Sequence, residues 1–332
     1  DSWQASTTDL SSYLGSIVKF RFIGTTGNGF ASDMAIDHIS ITDQLDYCAS
    51  NGSSFSRFIT RVQLNTIDNN NTGDGTGYSD FTNISTDLFS ENQHTIIITP
   101  NNSGNTLGYS VWIDYNKNGS FDDVGENIFV QSPIASTGVS GNFTVPLEVA
   151  YGTTRMRVSL RRNGIPPSCG SFNNGEVEDY TVNLKYDGLL YTNNLWTPNE
   201  PSGATGSDNA LVLDGTYQVT SDIVINDLTV NTGAEVEVNP SQSIFVNGDL
   251  TNSGNLVLNS VSNGYSSLLV NGTVTGDVEY KRHVNAFTAS APGSTGGNDL
   301  ISAPVVGQTF GDFAVANPNI YENPTAGLSS QK

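Results

Sequence analysis

The sequence predicts an all-β protein, with β-sandwich or jelly-roll modules in series followed by a short β-solenoid-like region. Three observations carry this. Apolar and polar residues alternate with a period of two in run after run, and no long stripe with a helical period interrupts them. Clusters of Gly, Asn, Asp and Pro punctuate those runs at short intervals, as strands joined by turns require. Charged residues make up only 14% of the 332, too few for the Glu/Lys/Arg-rich surfaces of helical bundles.

Taken in order, the runs divide the chain into four zones. Residues 1–44 carry the strand Val18-Lys19-Phe20-Arg21-Phe22 and end in Met34-Ala35-Ile36-Asp37-His38-Ile39. This zone is too short to bury a core of its own, so it reads as the end of a domain begun upstream. Residues 45–186 contain the alternating runs His94 to Thr99, Arg155 to Arg162 and Val177 to Leu184. In residues 187–285 short Val/Leu/Ile strands recur between Asn-Gly turns. Asn226-Asp227-Leu228-Thr229-Val230-Asn231 returns as Asn247-Gly248-Asp249-Leu250-Thr251-Asn252, and Val246-Asn247-Gly248 returns as Val270-Asn271-Gly272. Echoes at this spacing predict stacked rungs that share one core, with a hairpin meander as the alternative. Residues 286–332 are rich in Gly, Ser and Pro and read as a tail or the start of a further β-module. The chain opens at Asp1 with neither Met nor a signal peptide, so the expectation is a mature piece or an internal fragment.

Asp and Glu number 33 against 13 Lys and Arg, for a formal charge of -20. Such a surface has nothing to neutralise a phosphate backbone, which excludes nucleic acid as a partner, and it gains nothing from an anionic lipid surface. No run of about 18 apolar residues is present, so no membrane-spanning helix is expected. The acidity is uneven: residues 187–332 hold 14 acids and 3 bases, a surplus of 11, whereas residues 45–186 hold 14 and 8, a surplus of 6. It therefore belongs mostly to the predicted solenoid, where charge keeps exposed strand edges soluble.

Cys48 and Cys169 are the chain's two cysteines. They read as one disulfide, since the polar, Lys-poor, strand-rich composition is that of an extracellular protein; two buried free thiols are the alternative.

The segment Asp114-Tyr-Asn116-Lys-Asn118-Gly119-Ser120 places an oxygen-bearing side chain at every second position and a glycine at the sixth. Ca²⁺ takes six to eight oxygen ligands, and the glycine permits the turn that folds successive donors inward. Asp114, Asn116 and Asn118 are the expected side-chain ligands and Ser120 a carbonyl ligand, with Asp122 and Glu126 completing the shell and Asp123 in reserve. The loop follows a strand, and its late carboxylate stands one residue beyond the EF-hand position. An ion-free hairpin of Asx turns is the alternative.

Glu176 and Glu178 share one face of a predicted strand, and Arg155, Arg157 and Arg161 share one face of an earlier strand. Pairing the two strands is expected to bring the glutamates onto the arginines as structural ion pairs. Two carboxylates side by side on one strand do not flank a substrate as the pair of a glycosidase does. His38, His94 and His283 show no metal-site spacing, and no GxSxG elbow, P-loop or dinucleotide fingerprint occurs. No catalytic constellation is therefore expected in this chain. Trp196, before Thr197-Pro198-Asn199, reads as a loop residue available for ligand contact.

Beyond these local patterns, the middle zone resembles a GEVED domain, a β-sandwich module of secreted Bacteroidetes-type proteins. The elements that carry the resemblance are Tyr47-Cys48, the Val111–Asp122 segment, Gly125-Glu126, Ser168-Cys169-Gly170 and the run Gly175-Glu176-Val177-Glu178-Asp179-Tyr180. Residues 1–44 resemble the end of a MAM-like jelly roll, on Asp9-Leu10-Ser11-Ser12-Tyr13, the Val18–Phe22 strand and Ser32–Ile39. Residues 187–332 resemble the strand-rich regions of type IX secretion substrates. These resemblances imply a secreted or cell-surface protein exported by the type IX machinery. The implied role is non-catalytic: adhesion, contact with an extracellular glycan or protein surface, or spacing. The second class of function they imply is an accessory region of a secreted hydrolase, most simply a protease, whose catalytic domain lies outside this chain.

Overall fold

A computed structural model describes residues 19–21, 23, 45–53, 57–70, 72–73, 76–101, 104–135 and 137–283. The chain separates into two compact units, Asp1–Asp46 and Tyr47–Lys332. The MAM-like resemblance in residues 1–44 and the predicted tail at 286–332 fall almost wholly outside the described residues. Among those that are described, every regular element is a strand, and no helix is long and apolar enough to cross a membrane.

The strands of the second unit begin with β1 (Ser50–Asn51), β2 (Ile59–Leu64), β3 (Ile67–Asn70) and β4 (Tyr78–Phe89). Next come β5 (Gln93–Pro100), β6 (Leu107–Ile113), β7 (Asn127–Ile134) and β8 (Val139–Thr144). The first half ends with β9 (Gly152–Arg162), β10 (Gly170–Ser171) and β11 (Gly175–Lys185). Two sheets face each other, one ordered β4-β11-β9-β6-β7 and the other β3-β2-β5-β8. The alternation read from sequence determines which side chains lie between them. In β5, His94, Ile96 and Ile98 point inward while Thr95 and Ile97 point outward. Ile59, Val62, Ile96, Ile98, Val111, Val158 and Val182, none of them exposed, belong to the core so formed.

β6 is buried at all seven positions and β11 at its first six, so alternation fails there. Both faces of this sheet are covered. The 163–174 connection folds back over the outer face, with Ser168 O accepting from Arg157 Nη1 at 2.8 Å and Phe172 lying 5.8 Å beneath the Arg161 guanidinium. The disulfide Cys48–Cys169 holds that connection to the strap that precedes β2, with Cα atoms 5.6 Å apart, and β1 and β10 pair in parallel beside it.

The second half contains β12 (Leu189–Thr192), β13 (Leu195–Thr197), β14 (Ala210–Val212), β15 (Thr216–Val219) and β16 (Ile223–Ile225). β17 (Leu228–Val230), β18 (Glu235–Val238) and β19 (Ser243–Val246) make the next coil. β20 (Leu250–Asn252), β21 (Asn255–Leu258), the hairpin β22 (Ser260–Val261) and β23 (Gly264–Tyr265), and β24 (Ser267–Val270) follow. β25 (Val274–Thr275) and β26 (Glu279–Tyr280) complete the set. They stack in parallel into three walls, β14-β17-β20-β25, β15-β18-β21-β26 and β16-β19-β24, with β12 and β13 extending the first. This is the predicted solenoid. Val212, Val219, Ile225, Val230, Val238 and Val246 stack inside it as a second core.

The rungs are uneven in length. Ala210, Leu228, Leu250 and Val274 sit in register at intervals of 18, 22 and 24 residues. Gly248 is the extra residue that the repeat at 226 lacks, and it forms a corner. Asp227 Oδ1 accepts there from Asp249 N at 2.8 Å, and a Cβ on Gly248 would stand 2.0 Å from that same oxygen. Gly248→Ala is therefore expected to destabilise the solenoid by about 1–3 kcal/mol, the usual cost of overpacking. Urea denaturation of the variant checks this, and an unchanged midpoint would show that the corner yields freely.

Candidate functional site

The loop between β6 and β7 brings the expected ligand residues together around a buried carboxylate. Asp114 is 0% exposed and Glu126 2%. The every-second-residue spacing works as a ladder of Asx turns. Asp114 Oδ1 accepts from Asn118 N at 3.2 Å and its Oδ2 from Gly119 N at 3.0 Å. Asn116 Oδ1 accepts from Asn118 N at 3.1 Å, and Asn118 Oδ1 from Ser120 N at 2.8 Å. Glu126 closes the loop from its far end, with Oε1 accepting from Tyr115 N at 2.9 Å. Burial pushes the Glu126 carboxyl up to about 7, the charges of Asp114 and Asp123 add to that, and the Asn116 and Tyr115 amides oppose it.

Asp122 departs from its expected place. Its Oδ1 accepts from Ser168 Oγ at 3.0 Å, which turns the carboxylate toward the disulfide connection. Asp123 is the acid whose charge bears on Glu126, and its Oδ2 accepts from Asn118 Nδ2 at 2.8 Å. Sequence spacing could not separate these neighbours, because the choice depends on Ser168, 46 residues further on.

The residues present fit a hard cation on two counts. Glu126 Oε2 is buried without a hydrogen-bond partner, and an ionised oxygen in that state costs free energy unless a cation faces it. The donors are carboxylate, amide and carbonyl oxygens, the set Ca²⁺ prefers. Among the described residues no three His, Cys, Asp or Glu side chains form a metal-holding group, so an ion in this loop would need amide and carbonyl oxygens as well as acids.

The expected arginine–glutamate pairing needs correction. β9 and β11 do pair, antiparallel, but the register sets Glu176 opposite Leu160, Glu178 opposite Val158 and Asp179 opposite Arg157. Both glutamates therefore lie on the core face, away from Arg155, Arg157 and Arg161. Glu176 Oε2 accepts from Ile59 N in the facing sheet at 2.6 Å. Glu178 Oε2 accepts from Tyr180 Oη at 2.7 Å, and Tyr180 Oη accepts in turn from Asn69 Nδ2 of the facing sheet at 3.0 Å. Asp179 takes the arginines instead: Arg157 Nε and Nη2 donate to its two oxygens, each at 2.8 Å, and Arg155 Nη1 stands 3.5 Å away. Gly175 opens the run because a Cβ there would stand 2.1 Å from Leu160 O.

This run decides the comparison. Residues 108–183 match the GEVED domain family. The matched segment reaches from β6 to β11 and so contains the loop, the arginine strand and the signature, while Cys48 and Tyr47 lie outside it. GEVED domains are non-catalytic modules, and here the signature acids tie one sheet to the other and anchor the outer connection. No curated protein matches the chain.

One residue outside the match, Tyr47, completes the arrangement, and sequence reasoning did not assign it this role. Tyr47 donates from its hydroxyl to Asp114 Oδ2 at 2.8 Å and stacks on Phe121 with ring centroids 5.1 Å apart. Arg155 lies over the Tyr47 ring at 4.3 Å and Arg157 over the Phe121 ring at 4.9 Å. Asp179, Arg155, Tyr47, Phe121 and Arg157 thus form a closed ring of contacts. For Tyr47 the sequence signal was the Tyr-Cys pair at 47–48.

Trp196 also departs from expectation. It lies in β13, paired with Tyr191 of β12, and is half-buried among Tyr191 (5.2 Å) and Tyr217 (4.9 Å) at the first coil of the solenoid. Its apolar body packs against that core, so it is a strand residue and not the loop residue expected.

Proposed function

We propose that residues 45–186 form a calcium-stabilised, non-catalytic module, and that the chain serves a secreted or cell-surface protein in adhesion, glycan contact or spacing. The observation that carries the calcium reading is the buried pair Asp114 and Glu126, with Glu126 Oε2 lacking a protein partner. Asp114, Asn116, Asn118, the Ser120 carbonyl and Glu126 would hold the ion. When bound, it neutralises carboxylates that otherwise repel across the loop. The disulfide supports an oxidising, extracellular setting. What the polar groups do supports the non-catalytic reading: Glu176, Glu178 and Asp179 each hold parts of the fold together.

Thermal melts in calcium and in chelator test the reading. Calcium at about 100 times its dissociation constant should stabilise by about 2.7 kcal/mol, and Asp114→Ala should abolish the difference. Identical melts of the parent protein in the two buffers would refute calcium. A glycan array then separates glycan contact from spacing.

A further inference from the structure

We propose that the Cys48–Cys169 disulfide sets the cation affinity of the 114–126 loop, so that thiol–disulfide state and cation binding are thermodynamically linked. This rests on the calcium reading of that loop. The residue preceding each cysteine hydrogen-bonds an acid of the loop. Tyr47, before Cys48, donates to Asp114 Oδ2 at 2.8 Å, and Ser168, before Cys169, donates to Asp122 Oδ1 at 3.0 Å. Arg157 Nη1 spans the two cysteine-bearing segments, donating to Cys48 O at 2.9 Å and to Ser168 O at 2.8 Å, while its guanidinium lies over Phe121 of the loop at 4.9 Å. The bridge thus delivers two positioning residues to the loop from segments 121 residues apart.

A hydroxyl donating to a ligating carboxylate fixes its orientation, and losing such a partner commonly costs about 10–100-fold in metal affinity. Reduction by a dithiol proceeds by thiolate attack on one sulfur, giving a mixed disulfide, which the reductant's second thiolate resolves. Two electrons and two protons pass to the protein, Cys48 and Cys169 become thiols, and the reductant becomes a disulfide. The strap bearing Tyr47 is then held to the connection bearing Ser168 by hydrogen bonds alone, through β1–β10 and Arg157. Linkage is reciprocal: whatever factor the disulfide adds to cation affinity, bound cation adds to the resistance of the disulfide to reduction.

The test is calcium titration calorimetry on the whole chain, oxidised and after dithiothreitol. In parallel, the dithiothreitol midpoint for reduction is measured in calcium and in chelator. Oxidised protein is expected to bind calcium about tenfold more tightly than reduced, with the reduction midpoint raised by the same factor in calcium. Tyr47→Phe, kept oxidised, removes only the hydroxyl on Asp114 and should by itself weaken binding, which covers the case in which reduced protein unfolds. Binding of equal affinity in the oxidised parent, the reduced parent and Tyr47→Phe would overturn the linkage and leave the calcium reading standing. No binding by the oxidised parent would overturn both.

Discussion

Replacing Arg157 by alanine is expected to destabilise the sandwich by about 3–5 kcal/mol, the usual cost of removing one partner of a buried ion pair. Arg157 is 2% exposed, and its guanidinium is used in three directions: two nitrogens on Asp179, the third on the carbonyls of Cys48 and Ser168. Without it, Asp179, itself 0% exposed, keeps only Arg155 at 3.5 Å and the Tyr78 hydroxyl at 3.2 Å. The two carbonyls lose a charged donor as well. The contrast is with Arg61–Asp68 and Lys185–Asp87, whose bonds are shorter, at 2.6 Å, but whose side chains are roughly half exposed; solvent screening leaves such pairs with little effect on stability. Urea denaturation of Arg157→Ala beside Arg61→Ala makes the comparison. A loss below about 1 kcal/mol for Arg157→Ala would show that the ring around Asp179 is not a clamp. A volume-matched apolar pair, Arg157→Met with Asp179→Leu, should recover much of the loss, because the penalty lies in the stranded charge and not in the missing bond alone.

That clamp was half legible. Alternation placed the three arginines on one face and the two glutamates on another, and β9 does pair with β11. What alternation does not carry is which face turns inward. The expectation put the glutamates on the face that carries the arginines, because pairing opposite charges across two neighbouring strands is the simplest use of both. The chain buries them because donors stand at the right height: Ile59 N of the facing sheet for Glu176, and for Glu178 the Tyr180 hydroxyl on the same strand, itself held by Asn69 of the facing sheet. Ile59 is 117 residues from Glu176 and Asn69 is 111 from Tyr180, so no local pattern announces these cross-sheet contacts. Asp179, which alternates with the glutamates, is the acid that the register sets opposite Arg157.

The ligand loop shows where local chemistry suffices. Asx turns are contacts between residues two apart, so the oxygen spacing at 116 and 118 reads directly as a folded ladder, while Asp114 reaches further, to the amides of Asn118 and Gly119. The loop's long-range supports, Tyr47 and Ser168, were not legible as such. The solenoid lies between these cases: its echoes predicted the stacking, but the one-residue shift at Gly248 became intelligible only against Asp227 of the coil below.

Removing the disulfide, as Cys48→Ala with Cys169→Ala, is expected to cost the sandwich about 4–5 kcal/mol in the chain-entropy account, since the bridge closes a loop of more than a hundred residues. The loss should be local. The strap from Tyr47 to Ser53 is otherwise held by the two-residue pairing of β1 with β10, by Arg157 and by Gly52 bonded to Gly77 and Gly175. The sandwich and solenoid cores are separate clusters that share no buried residue. Native-state hydrogen exchange should therefore show faster exchange through β6, β9 and β11 in the variant, with β14, β17 and β20 still protected. Equal loss of protection in both halves would mean that the cores unfold as one unit, and that the three residues between β11 and β12 transmit the sandwich's stability to the solenoid. No loss in either would mean that Arg157 and the β1–β10 pairing hold the strap without the bond.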